Sequence, residues 1–325
     1  MAWACFRGRA MPESLTSLPE RVRIVEVGPR DGLQNEPSLV SAEVKAQLIE
    51  RLIDAGVRYI EAASFVSPKW VPQMADGASV LERVLPAARR SATTLAALVP
   101  NMKGLEAALA SHVDEIAVFA AASESFSRKN INCSIDESIA RFEPVIAAAR
   151  QANVRIRGYV SCVLGCPFEG EIAPDAVARV AARLFDLGCY EISLGDTIGA
   201  GTPSKTRAML DACAAYVPVH ALAGHFHDTW GMAAANVLAA LQRGVATFDS
   251  SVSGIGGCPY SPGATGNVAT EDIVYLCEGM GIATGIDLGR LADAGAFISR
   301  ALGRETSSRV ARALEGRRRR EAATR

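Results

Sequence analysis

Histidine is scarce in this chain, with four residues in 325. Several other features are missing outright. No apolar run reaches the ~18 residues that a membrane span requires, so a membrane is not expected among its partners. The formal net charge is −1, with acids and bases interspersed, which argues against nucleic acid and against a charged membrane surface. The eight cysteines (Cys5, Cys133, Cys162, Cys166, Cys189, Cys213, Cys258 and Cys277) contain no C-x-x-C pair and no tight disulfide framework. They read as reduced thiols of an intracellular, cytoplasmic enzyme. No G-x-G-x-x-G turn follows the first apolar run. Its place is taken by Gly28-Pro29-Arg30-Asp31-Gly32, which counts against the doubly wound open sheet as the alternative α/β fold.

What is present is a repeat of β-rich apolar runs, each followed by a stretch of helical period. The runs span 23–27, 59–65, 93–99, 115–121, 155–162, 190–195, 219–225 and 247–253. Ser41, Pro174 and Pro203 mark helix entrances, and Gly56, Gly188 and Gly244 mark exits before the next strand. Eight such units predict a single α/β domain, a (β/α)8 TIM barrel, over residues 21–303, with an additional C-terminal helix at 288–302. Residues 1–20 are expected to be a disordered leader, too short to support organelle targeting, and 304–325 a basic tail. The run of arginines 317–320 reads as a solvated helix end.

In a barrel of this kind the chemistry sits at the C-terminal ends of the strands. Polar residues gather at those ends: Arg30 and Asp31 after the first, Glu61 and Ser64 in the second, Asp196 and Thr197 at the sixth, and His225 and His227 at the seventh. The two histidines are an i, i+2 pair, so both imidazoles point to one face. A long glycine-rich loop follows the eighth strand, carries Cys258 and ends at Asn267. Asp31, His225, His227 and Asn267 supply a carboxylate, two imidazoles and an amide oxygen. That mixed set suits one six-coordinate divalent ion per chain, Mg2+ or Mn2+. Asp228 is assigned to capping the helix that follows.

Three stretches, Val27 to Glu36, Ser64 to Met74, and Gly256-Gly-Cys-Pro-Tyr260 with Gly266-Asn267, resemble the 3-hydroxy-3-methylglutaryl-CoA lyase family. The likeness runs from about residue 23 to about residue 313, and includes Lys129 to Ser134 and Leu194 to Gly199. It implies a metal-dependent lyase of leucine breakdown and ketone-body formation that cleaves an acyl-CoA to acetyl-CoA and acetoacetate, working as a homodimer. It also implies site roles. Arg30 would stabilise the thioester enolate, and Asp31 or His225 would help move the hydroxyl proton. Cys258 would protonate the departing carbon, and Glu61 would orient Arg30 or the metal shell. Gln34, Ser64, Asn130 and Thr197 are the weaker expected contacts to the acyl group or to metal waters.

Departures from the family pattern lie at Met232, at Ala62-Ala63, and at Glu315 where the animal enzymes carry a regulatory thiol. The first two leave open a lyase for a related 3-hydroxy-3-alkylglutaryl-CoA or hydroxyacyl-CoA. A condensing enzyme joining acetyl-CoA to a 2-oxo acid, or a non-catalytic acyl-CoA-binding or metal-binding protein, fits the loop and ligand set less well.

Overall fold

The computed structural model describes residues 18–257 and 266–324. Eight parallel strands close into one barrel in sequence order. They are β1 (Arg23–Glu26), β2 (Tyr59–Ser64), β3 (Thr94–Leu98), β4 (Glu115–Ala121), β5 (Arg155–Ser161), β6 (Glu191–Asp196), β7 (Leu222–Phe226) and β8 (Thr247–Ser250). Closure comes from β1 lying against β8, in register from Arg23 opposite Thr247 to Glu26 opposite Ser250.

Around the barrel run α1 (Ala42–Asp54), α2 (Gly77–Ser91), α3 (Met102–Ala110), α4 (Glu124–Ile131), α5 (Ile135–Gln151), α6 (Pro174–Leu187), α7 (Pro203–Ala214), α8 (Ala233–Leu241) and α9 (Thr270–Gly279). Local chemistry sets their ends. The Ser41 hydroxyl accepts from the Val44 amide to open α1, Ser134 and Glu137 form a reciprocal capping box on α5, and proline begins α6 and α7. Gly188 closes α6 at φ 110°, a conformation that a side chain would strain.

Two strand ends lie three residues from where the sequence predicts them. Val219–Ala221 forms a 3-10 turn after Pro218, so β7 begins at Leu222. After Ser250 the chain leaves the sheet and turns at Val252–Gly254, with Ser253 at φ 60°. Beyond the barrel lie two helices rather than one, α10 (Leu288–Leu302) and α11 (Arg309–Ala323). The apolar face of α10 packs on α1 and on the Val252–Gly254 turn of its own chain, and Phe297 lies 4.5 Å from the Arg51 guanidinium. The region expected to be a tail therefore carries a helix, exposed along most of its length.

The barrel interior departs from the usual stack of aliphatic layers. Arg157, Glu191 and Asp249 are buried at its centre, and Arg157 bridges the other two. Glu191 also pairs with Arg23 nearer the N-terminal ends. Charges this deep persist only when paired, and each of these has a partner.

Candidate active site

β1 runs into a π-helical turn, Gly28–Gly32, that presents Arg30 and Asp31 at the C-terminal mouth. Arg30 is 5 % exposed. Its Nε donates to Glu61 Oε2 at 2.6 Å, its Nη2 lies 2.5 Å from the same oxygen, and its Nη1 donates to Asp31 Oδ1 at 2.8 Å. Burial disfavours the guanidinium charge, but the two carboxylates outweigh it and raise the Arg30 pKa. The sequence left Glu61 two possible partners, Arg30 and the metal shell, and in the structure it holds Arg30.

Asp31, His225 and His227 each offer one ligand atom, all within 4.8 Å of one another. His225 Nε2 is 3.3 Å from His227 Nε2 and 4.0 Å from Asp31 Oδ2. Asn267 joins the cluster because the chain returns beside β7. His227 and Asn267 form an antiparallel bridge, and the Val268 amide donates to the Phe226 carbonyl at 3.0 Å. The Asn267 side-chain amide donates to Asp31 Oδ2 at 2.8 Å, which leaves its own oxygen free of that bond.

Burial pushes the Asp31 pKa up, but Arg30, His225 and His227 together hold it below the usual carboxylate range. Burial and the neighbouring His225 lower His227 to about 4. For His225 burial acts downward too, yet the hydrogen bond and charge of Asp249 raise it overall. One carboxylate and two imidazole nitrogens converging within one ion's reach fit a divalent metal of the N/O-liganded class.

The remaining expected residues fall in several places. Gln34 and Ser64 lie near the mouth, at the end of the first turn and of β2, and Gln34 Oε1 and Ser64 Oγ are buried with no hydrogen-bond partner among the described residues. Thr197 Oγ1 accepts from the Cys162 amide at 2.7 Å and so ties the ends of β5 and β6 together. Asn130 is exposed on α4. Cys258 lies outside the described residues. Asp196 accepts from the Ala200 and Gly201 amides, and Asp228 from the Ala233 amide at the start of α8. Glu315 is exposed on α11 and pairs with Arg319.

Sequence reasoning missed Asp249, Arg157 and Ser193. Asp249 sits on β8 directly opposite His225 in the β7–β8 register, and His225 Nδ1 is 3.1 Å from Asp249 Oδ2. A signal was available. Arg157 and Asp249 are charged residues within runs buried on both faces, where an unpaired charge is untenable and a partner had to be sought.

Comparison with known proteins agrees with this arrangement. The HMGL-like family model matches residues 21–298. The hydroxymethylglutaryl-CoA lyase of Pseudomonas mevalonii is 60% identical over 302 residues, covering 93% of this chain and 99% of that protein. A crystal structure of hydroxymethylglutaryl-CoA lyase from Pseudomonas aeruginosa superposes with a TM-score of 0.90 at 57% identity, covering 92% of this chain and 99% of that one. The structure of an HMG-CoA lyase from Acinetobacter baumannii in complex with coenzyme A and 3-methylmalate has a TM-score of 0.86 at 36% identity, over 92% and 96% of the two chains. The eight-stranded barrel, the Arg30–Asp31 turn and the paired histidines thus come with family-wide similarity along nearly the whole chain, and the protein belongs to the HMGL-like family of lyases.

Proposed function

We propose that this mouth cleaves 3-hydroxy-3-methylglutaryl-CoA to acetyl-CoA and acetoacetate, a carbon–carbon lyase reaction of leucine breakdown, with Mg2+ or Mn2+ held by Asp31, His225, His227 and Asn267. A divalent cation held there would supply Lewis acidity, which makes a substrate hydroxyl more acidic. The observation that carries the reading is the position of Arg30. Its guanidinium is clamped by Glu61 and shares Asp31 with the metal-ligating cluster.

The rest follows from the chain's own groups. The C3 hydroxyl proton passes to Asp31, since His225 Nδ1 already faces Asp249, the C2–C3 bond breaks, and its electron pair moves into the thioester as an enolate. Arg30 meets the charge that develops on the thioester oxygen. A fixed donor of that kind is worth about 10²–10³ in turnover. The Cys258 thiol then protonates C2 to release acetyl-CoA. Glu61 keeps Arg30 from swinging away, so little reorganisation is needed at the moment of bond breaking.

The test is turnover of 3-hydroxy-3-methylglutaryl-CoA by purified protein with and without Mn2+, following acetoacetate and acetyl-CoA. Metal-dependent formation of both products supports the proposal. No cleavage by folded, metal-loaded protein refutes it. A homodimer belongs to the same proposal. Since α10 turns its apolar face to its own barrel, the dimer contact would use another surface, and sedimentation equilibrium gives the mass.

A further inference from the structure

We propose that Asp249 is a positioning residue that fixes His225 in its Nδ1–H tautomer and so turns the His225 Nε2 lone pair toward Asp31 and His227. The inference concerns the same site and rests, for its metal titration, on the metal reading above.

A carboxylate offers about four lone-pair positions and, when ionised, only accepts. Asp249 Oδ1 takes Arg157 Nη2 at 2.6 Å, and Oδ2 takes Arg157 Nη1 at 3.0 Å and the Ser193 hydroxyl at 2.7 Å. Three donors thus converge on a carboxylate that is 2 % exposed. A proton on Asp249 would collide with one of them. The remaining neighbour is His225 Nδ1, at 3.1 Å. Facing an acceptor that cannot donate, that nitrogen must carry the hydrogen. In the neutral ring Nε2 is then a bare lone pair, and it points toward His227 and Asp31.

Arg157 cannot turn away to release this arrangement. Its Nε donates to Glu191 Oε1 at 2.7 Å, and Nη1 also reaches the Tyr159 hydroxyl at 3.0 Å. Glu191 is held in turn by Arg23. The column of charges in the barrel centre therefore runs from Arg23 to the Nδ1 edge of His225, giving the barrel's unusual polar interior a task at the site.

His227 has no such partner. Its Nδ1 makes no hydrogen bond among the described residues, and the groups that act on the ring are His225, Asp31, the Thr197 backbone and the Asn267 side chain. Asp249 therefore presets one ring of the pair and not the other.

Long-range 15N NMR of the metal-free full chain at pH 8, followed by Mg2+ addition, reads both tautomers directly. With four histidines in the chain, His112→Gln and His220→Gln complete the assignment. The expected spectrum has His225 as Nδ1–H before and after Mg2+. A metal-free spectrum showing His225 as Nε2–H overturns the proposal, and so does one in which His225 changes tautomer on Mg2+ addition. Mg2+ that perturbs neither ring refutes the metal reading, while the metal-free spectrum still decides the role of Asp249.

Asp249→Asn supplies a second readout. An amide there can donate to Nδ1, so His225 should populate both tautomers and Mg2+ should bind about 10–100-fold more weakly in calorimetry. Unchanged tautomer and affinity in a folded variant overturn the assignment. If that variant does not fold, the wild-type spectrum alone decides.

Discussion

Glu61 Oε2 meets two nitrogens of Arg30 at once, accepting from Nε at 2.6 Å and forming an ion pair with Nη2 at 2.5 Å, while Asp31 takes Nη1. A guanidinium has five N–H groups in a rigid fork, and these contacts engage all three nitrogens without using every hydrogen. The geometry leaves donors on the two terminal nitrogens for a substrate oxygen and fixes where they point.

Arg30→Gln should therefore lower kcat by at least 10²–10³, on the order of a lost oxyanion donor, while Mn2+ affinity changes only a few-fold. Arg30→Lys should rescue little, because a single ammonium cannot hold both the Glu61 clamp and the substrate. Steady-state kinetics with calorimetric metal titration separates the effects. A variant that loses metal along with turnover would show that Arg30 serves chiefly to shape Asp31.

Removal of metal provides the second test. Chelator-treated protein should lose turnover, and Mg2+ or Mn2+ should restore it. Because the ligands converge only in the folded chain, excess ion should also stabilise it, by about 2.7 kcal/mol at a hundredfold excess over Kd. A thermal melt that ignores Mn2+ while activity still returns would place the functional ion elsewhere.

Cys258→Ser probes the proton delivered to C2. A hydroxyl is a far weaker acid than a thiol, so kcat should fall steeply while KM stays within a few-fold. Turnover equal to wild type would remove Cys258 from the chemistry. Isotope exchange at the acetyl methyl group would then locate the true donor.

How much of this was legible beforehand depended on whether the signal was local. Strand periodicity and helix caps such as Ser41 and Pro174 are written in adjacent residues, and the barrel followed from them. The His225–His227 pair was equally visible, since i and i+2 share a strand face. Asp249 was not, because its role exists only where β8 closes against β7 and β5 supplies Arg157 across the interior. The ends of β7 and β8 were misjudged for a related reason. Val219 and Val252 look like strand residues, yet the chain around them turns, at Pro218 and at Ser253 with its φ of 60°. The segment after α10 read as a basic tail, but Ser307 donates to the Ser253 and Gly254 carbonyls and Arg304 pairs with Glu36. The Ser307 bonds span 54 and 53 residues and the Arg304 pair 268, and none leaves a periodic trace.

Gly266 should tolerate no side chain. It sits at φ 89°, and a Cβ there would lie 2.2 Å from the Gly256 carbonyl oxygen, a backbone atom that cannot step aside. Gly266→Ala should push Gly256 and Gly266 apart and displace the adjacent Asn267. Metal affinity should drop at least tenfold while the far-ultraviolet circular dichroism of the barrel is kept. Unaltered affinity would mean that Asn267 is not a ligand, or that its position does not depend on this close approach.

Glu271 offers a prediction in pH. Burial first, and Glu26 nearby as a further cause, raise its folded pKa to about 8 against the hydrogen bonds it accepts from Ser253. An unfolded glutamate titrates near about 4.3. Between those values the unfolded chain has lost the proton and the folded chain keeps it. Stability must therefore fall as pH rises through this window, at up to about 1.4 kcal/mol per unit, and level off above pH 8. His227, lowered to about 4, works in the opposite direction below pH 6.5, but it does so equally in a variant that keeps it. The difference between Glu271→Gln and wild type reports that carboxyl together with its coupling to Glu26. Urea unfolding at pH 5, 6.5 and 8 should show the variant gaining on wild type at each step. Parallel curves would mean that Glu271 is ionised in the fold throughout, with its charge balanced by the Ser253 amide and the turn around it.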